Sequence, residues 1–183
     1  MIIDTISEFC IRHDIIKVED LPMFRYCIER RIVSSILICA LFFLGIQWTS
    51  VATTVSFLAA FSYLRSMTNG FHTANPGICF VLSTLIELLL FKYVIPKINL
   101  LIVTVTISLS IIAVLSLAPF NHPNMDLSSE EIKACHTESI KRLVILLFYL
   151  LVSAVLSWTD IFIGLFLGIA LVSVLLCLAY IFN

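Results

Sequence analysis

The chain has 183 residues, of which 61% are hydrophobic and 13% are charged, and its formal net charge is −1. Soluble domains are about 45–50% apolar and about 25% charged, so this composition is typical of an integral membrane protein. The near-neutral charge argues against a nucleic-acid partner, and six cysteines without CxxC spacing argue against a disulfide framework.

The first 31 residues carry charges of both signs. Apolar residues recur between these charges at helical spacing: Ile2, Ile3, Ile6, Phe9 and Cys10. This pattern predicts one or two amphipathic helices on the membrane surface over residues 1–31, broken near Leu21-Pro22. A soluble helical cap without lipid contact is the alternative.

The next segment, residues 32–64, contains no Asp, Glu, Lys or Arg. One helix of that length would run about 50 Å, well past a hydrocarbon core of about 30 Å, so we expect two spans divided near 45–50 with Trp48 at the interface. Further apolar spans follow over 77–95, 98–118, 143–158 and 161–182. The predicted fold is therefore an all-α integral membrane protein with about six transmembrane helices, in which residues 32–183 form one domain.

The orientation of these spans follows from the basic residues beside their ends. Five basic residues precede the first span, which predicts a cytoplasmic N-terminus. Six spans then place the polar break at 69–77 and the polar loop at 119–142 on the cytoplasmic side as well. Lys92 and Lys97 oppose this arrangement, because they would face outward.

The break between the second and third spans contains the candidate chemistry, in the segment NGFHTANPGIC at residues 69–79. Asn75 is a good N-cap and Pro76 suits the first helical position, so Cys79 would fall in the first turn of the third span. The helix N-terminus favours a thiolate, and His72, just upstream, can take the thiol proton. Unpaired backbone N–H groups of that turn could hold an oxyanion.

Spacing alone leaves three interpretations of His72 and Cys79 open. They are a cysteine nucleophile with its base, a packed structural pair, or part of a metal site. The metal site would recruit His122, Cys135 or His136, although the sequence lacks any tight ligand spacing. Candidates for the group that orients His72 are Asn69, Thr73 and Asn75.

The stretch LRSMTNGFHTANPGIC resembles the accessory gene regulator protein B (AgrB) family of bacterial quorum sensing. Members of that family carry a pattern like R-x4-G-x-H-x6-C, which this chain meets at Arg65, Gly70, His72 and Cys79. The segment PFNHPNMDLSSEE at 119–131 is similar to the family's loop after a span. One departure is Asn69, which replaces the first of two glycines, although Asn tolerates the left-handed backbone of a glycine.

The resemblance implies a membrane-embedded cysteine endopeptidase in the bacterial cell membrane, with its active site near the cytoplasmic face. Such an enzyme removes the C-terminal tail of a small precursor peptide through a Cys79 thioester. It then cyclises the remainder to a thiolactone or lactone signal that regulates virulence. His72 would act as base and then acid, and Arg65 would hold a precursor carboxylate or brace the loop. No metal or organic cofactor is implied.

Two further polar residues follow Cys79 in the third span. Ser83, one turn beyond Cys79, would line a substrate groove or bond its own helix backbone. Glu87 lies about 12 Å from Cys79 along the helix, so we expect its partner to be a polar group elsewhere in the bundle. The alternative function, a small peptide transporter without peptidase chemistry, would depend on Glu87 more than on Cys79. The sequence leaves a homodimer possible.

Overall fold

A computed structural model of the protein describes residues 9–13, 16, 19, 21–68, 76–121 and 128–182, without the side chains of residues 23, 26, 27, 29, 30 and 76–80. Six α-helices of more than ten residues, and no strand, occur in these ranges. The helices are α1 (Leu21–Gly45), α2 (Val51–Thr68), α3 (Pro76–Leu89), α4 (Leu100–Leu117), α5 (Ser129–Val155) and α6 (Thr159–Phe182). The all-α class predicted from the sequence is confirmed.

The chain divides into two compact units, Met1–Leu41 and Phe42–Asn183. In the first unit, α1 begins at Leu21, close to the predicted break at Leu21-Pro22, and continues past the charged residues into the apolar segment without interruption. Large apolar side chains of this part of α1 are exposed, as expected of a surface in lipid: Ile32, Val33, Ile36 and Ile38. The assignment of residues 1–31 to the membrane surface stays a prediction.

The predicted division of the 32–64 segment is confirmed by a turn between α1 and α2. α1 ends at Gly45, whose carbonyl oxygen accepts the Trp48 amide at 3.0 Å. α2 begins at Val51, and the Ser50 hydroxyl caps it by accepting the Thr53 amide at 3.1 Å. The helical ladder is therefore interrupted over about five residues, as the length argument requires.

The third predicted span begins where the Asn-Pro-Gly signal places it, because α3 starts at Pro76. Its C-terminal end is irregular. After Leu89 the backbone widens into one π-helical turn, Leu90–Val94, and then tightens into a 3-10 turn, Ile95–Lys97. The Ile95 amide donates to the Leu90 carbonyl oxygen, which is the i→i+5 pattern of a π turn. The next residue, Pro96, has no backbone N–H and cannot continue the helical hydrogen bonds.

The polar loop predicted over 119–142 is helical from Ser129 onward, so α5 includes both the end of that loop and most of the predicted fifth span. A capping box starts the helix: the Ser128 hydroxyl accepts the Glu131 amide, and the Ser128 amide donates to Glu131 Oε2 at 2.9 Å. The backbone bond from Ser128 holds the pKa of Glu131 below its usual range. The start of α5 is therefore set by a local signal in the sequence.

The core of the second unit is built around α6, which packs against α2, α4 and α5. Gly164 of α6 lies against Thr53 of α2, and Gly168, one turn later, lies against Phe57. Because both contacts advance in the same direction, α2 and α6 run parallel. Their fully buried side chains include Leu64, Phe166, Ile169, Val172 and Leu176.

Two of the described helices, α4 and α6, are long and apolar enough to cross a membrane. In α1 the apolar part covers only Arg31–Gly45, and α3 has 14 residues before its π turn. α5 begins with a charged half. The count of six spans, with the orientation derived from it, stays a prediction.

Candidate functional site

The predicted nucleophile lies at the start of α3. Cys79 is the fourth residue of the helix that begins at Pro76, so its backbone is in the first turn, as the sequence predicts. Its side chain is outside the described part of the structure. The remaining residues predicted for the break also lie outside the described residues: Asn69, Gly70, His72, Thr73 and Asn75. The pairing of His72 with Cys79 therefore stays a prediction.

The break itself follows the C-terminal end of α2, which the structure describes up to Thr68. Arg65 lies in the last turn of α2 and is partly exposed. A cation in the last turn of a helix is favourable, because the helix dipole places partial negative charge there. Thr68 is fully buried, and its Oγ1 has no hydrogen-bond partner.

The segment after α4 lies against the end of α2. The Phe120 amide donates to the Thr68 carbonyl oxygen at 3.0 Å. Ala118, Pro119 and Phe120 are buried, and the Phe120 ring meets Tyr180 of α6 edge-on at 5.0 Å. The structure thus brings the start of the family-like loop to the residue that precedes the predicted catalytic segment. Residues 122–127 of that loop lie outside the described ranges.

Two residues of α5 make hydrogen bonds to the 118–120 segment and to the C-terminal part of α2. His136 Nδ1 donates to the Ala118 carbonyl oxygen at 2.6 Å. Arg142 Nη1 donates to the Tyr63 carbonyl oxygen at 2.7 Å and to Ser66 Oγ, and its guanidinium lies 4.6 Å from the centre of the Tyr63 ring. Neither contact was predicted, because the partners are 18, 79 and 76 residues apart and no local pattern connects them.

Two of the candidate metal ligands, Cys135 and His136, lie among the described residues. Among the described residues, no group of three or more His, Cys, Asp or Glu side chains is arranged to hold a metal ion. His136, one of the candidates, instead bonds a backbone carbonyl. His122 lies outside the described ranges.

Beyond Cys79, α3 carries buried polar groups that have no hydrogen-bond partner among the described residues. Ser83 is partly exposed, whereas Thr84 Oγ1 and both carboxyl oxygens of Glu87 are buried without a hydrogen-bond partner. Glu87 is 2% exposed. The expectation that Glu87 finds a polar partner elsewhere in the bundle is wrong for the described residues. Space for its carboxyl group comes from Gly45, where an added Cβ would stand 2.9 Å from Glu87 Oε1.

We expect replacement of Glu87 by methionine to stabilise the protein by about 1–3 kcal/mol, the usual cost of a buried polar group without a partner. Methionine has similar volume and needs no hydrogen bond, so it can fill the same space beside Gly45. Thermal unfolding in detergent measures the change. Glu87→Gln is the matched control, because it keeps unpaired polar atoms and should gain less. A lower melting temperature for Glu87→Met would show that the carboxyl group has a stabilising partner.

An open cavity of about 480 Å³ lies at the opposite end of α2, lined by Ala52 and by residues 157–161, which include the end of the α5–α6 turn and the start of α6. Cys79 follows the other end of α2, so this cavity is separate from the candidate site. Nothing among the cavity's residues matches the chemistry predicted for the break.

These observations define a class: a strongly apolar, all-helical chain with helices able to cross a membrane and a cysteine in the first turn of a helix. A family model described as Accessory gene regulator B matches residues 3–181, nearly the whole chain, and the chain belongs to this family. AgrB proteins are membrane proteins, and membership is consistent with quorum-sensing peptide processing of a small precursor. No curated protein and no solved structure gives a match.

Proposed function

We propose that the protein is a cysteine endopeptidase that cuts a small precursor peptide within the membrane and cyclises the product. The observation that carries this proposal is the family match over residues 3–181, combined with the helix start at Pro76 that puts Cys79 in a first turn. Peptide processing accords with the family, whereas the nucleophile, its base and the cyclisation are our proposal.

The reaction proceeds through an acyl-enzyme. His72 takes the proton of the Cys79 thiol, and the thiolate attacks the scissile carbonyl carbon. Backbone N–H groups of the first turn of α3 stabilise the oxyanion. His72 then gives the proton to the leaving amine, and the C-terminal tail of the precursor departs, which leaves the rest of the peptide as a thioester on Cys79.

The second half of the reaction closes a ring. A thiol or hydroxyl inside the bound peptide loses its proton to His72 and attacks the thioester carbonyl. The bond to Cys79 breaks, the thiol is regenerated, and a thiolactone or lactone leaves. A site shielded by lipid and protein slows competing hydrolysis, because little water reaches the thioester.

The remaining residues of the motif would shape the site. Gly70 and Asn69 form the turn, Asn75 caps α3, and Arg65 holds a precursor carboxylate or braces the turn. Ser83, one turn beyond Cys79, lines the substrate groove. Arg65 cannot serve as the base, because a guanidinium stays protonated.

We place the chain in the bacterial cell membrane with about six spans, the N-terminus in the cytoplasm and the active site near the cytoplasmic face. The precursor would approach along residues 1–31, where an amphipathic leader can share the membrane surface. The chemistry above requires only one chain and is compatible with a homodimer.

The proposal is tested by co-expression with the candidate precursor, a small open reading frame expected beside that of this chain, and by mass spectrometry of the peptides. The expected product lacks the tail and is lighter by one further water than the linear cut peptide. A precursor without its internal thiol or hydroxyl should instead leave its N-terminal part attached to the protein, on the fragment that contains Cys79. Precursor that stays intact in both experiments would favour the transporter.

A further inference from the structure

The end of α2 is held by an element that is remote in sequence. Thr68 is the last residue of α2, and its carbonyl oxygen accepts the Phe120 amide at 3.0 Å. The Thr68 side chain is not the anchor, because its buried Oγ1 has no partner. The backbone of residue 68 is thus fixed by the 118–120 segment, and residue 69 begins immediately after it.

The 118–120 segment is in turn held by α5. His136 Nδ1 lies 2.6 Å from the Ala118 carbonyl oxygen. A carbonyl oxygen can only accept, so Nδ1 carries the hydrogen. The His136 ring is partly buried, and a partly buried hydrogen bond to a backbone carbonyl fixes position better than a fully solvated one. The segment also packs on α6, because the Phe120 ring meets the Tyr180 ring edge-on.

A second contact from α5 reaches the turn of α2 just before Thr68. Arg142 bonds the Tyr63 carbonyl oxygen and the Ser66 hydroxyl, and it covers the Tyr63 ring. The Tyr63 carbonyl oxygen also accepts the Ser66 hydroxyl at 3.0 Å, so Arg142 adds a donor from another helix to a group that is already bonded within α2. α5 therefore fixes the C-terminal end of α2 directly through Arg142 and indirectly through His136.

We propose that His136 is a positioning residue for the C-terminal end of α2, from which the chain continues into the segment of the predicted base His72. It acts through the Ala118 carbonyl, the Phe120 amide and the Thr68 carbonyl, and Thr68 precedes His72 by four residues. This inference rests on the proposed function, because it assumes that His72 must meet the Cys79 thiol. A misplacement of about 1 Å at a reacting group costs about 10²-fold in rate, so loss of the contact acts mainly on the chemical step.

The test compares His136→Leu with His136→Asn. The asparagine amide can donate from a position close to that of Nδ1, whereas leucine fills the space without a donor. We expect kcat for precursor cleavage to fall about 10–100-fold in His136→Leu with KM within about twofold, and His136→Asn to recover most of the loss. Hydrogen exchange at the Phe120 amide should be faster in His136→Leu and near normal in His136→Asn.

Thr137→Ala is the matched control, because this neighbouring side chain is exposed and bonds only its own helix at the Lys133 carbonyl. It should leave kcat and the Phe120 exchange rate unchanged. If His136→Leu does not accumulate in the membrane, His136→Ala replaces it in the comparison with His136→Asn.

Two results would overturn the inference. In the first, the wild type is active and His136→Leu has the same kcat. In the second, kcat falls in His136→Leu and is not restored in His136→Asn. A wild type that leaves the precursor intact, or a Cys79→Ala variant that still cuts it, would instead remove the proposed function. The two failures are therefore distinguishable.

Discussion

Replacement of Cys79 by alanine is expected to lower the rate of precursor cleavage by about 10³-fold or more, because it removes the proposed nucleophile. No other side chain in the first turn of α3 can replace it, since the turn reads Pro-Gly-Ile-Cys from residue 76. Cys79→Ser should be nearly as inactive, because a hydroxyl is much harder to deprotonate than a thiol. The measurement is the initial rate of tail release in membranes or detergent.

Other cysteines provide matched controls for this prediction. Cys39 is exposed on α1, and Cys177 is partly exposed on α6. Cys39→Ala and Cys177→Ala should cleave at close to the wild-type rate, because neither lies at a helix N-terminus. Cleavage by Cys79→Ala at the wild-type rate would exclude the nucleophile. Metal found in the purified protein, and lost with Cys79 or His72, would favour the metal interpretation.

The positions at which α2, α3 and α5 begin follow from the sequence, because the signals there are local. Asn-Pro-Gly gives the start of α3, and the serine and glutamate of a capping box give the start of α5. The excessive length of the segment after residue 31 gives the division near Gly45. These same signals place Cys79 in a first turn before any tertiary contact is known.

The contacts between helices could not be predicted in this way. Thr68 bonds Phe120, and Arg142 bonds Tyr63, across long stretches of chain, and no local pattern in a single sequence indicates such pairs. Glu87 shows a different difficulty. Polar groups within spans usually find partners, but here the missing side chain of Gly45 gives the carboxyl group space without one. The π turn after Leu89 also lacks a clear local signal.

The interface between α2 and α6 depends on small residues, as is common where helices approach closely in a membrane. A Cβ at Gly164 would overlap Ser56 Oγ and the Thr53 carbonyl oxygen, and it would stand 2.9 Å from the Phe57 amide nitrogen. Gly168 lies one turn further along the same face, where a Cβ would stand 2.9 Å from the Phe57 carbonyl oxygen. Three of these four neighbours are backbone atoms, which cannot rotate away as a side chain can.

We therefore expect Gly164→Ala to lower the free energy of unfolding by about 3 kcal/mol, at the upper end of the range for added volume in a packed core. Thermal unfolding in detergent or bicelles measures the loss. Val174→Ala on the same helix is the control, because Val174 is 53% exposed and its truncation should cost about 0.5 kcal/mol or less. Equal stability of the two variants would mean that α2 and α6 do not approach as closely as the structure places them. A Gly164→Ala variant that unfolds at a lower temperature than wild type, but still cleaves the precursor below that temperature, would show that this interface determines stability and not the chemistry at Cys79.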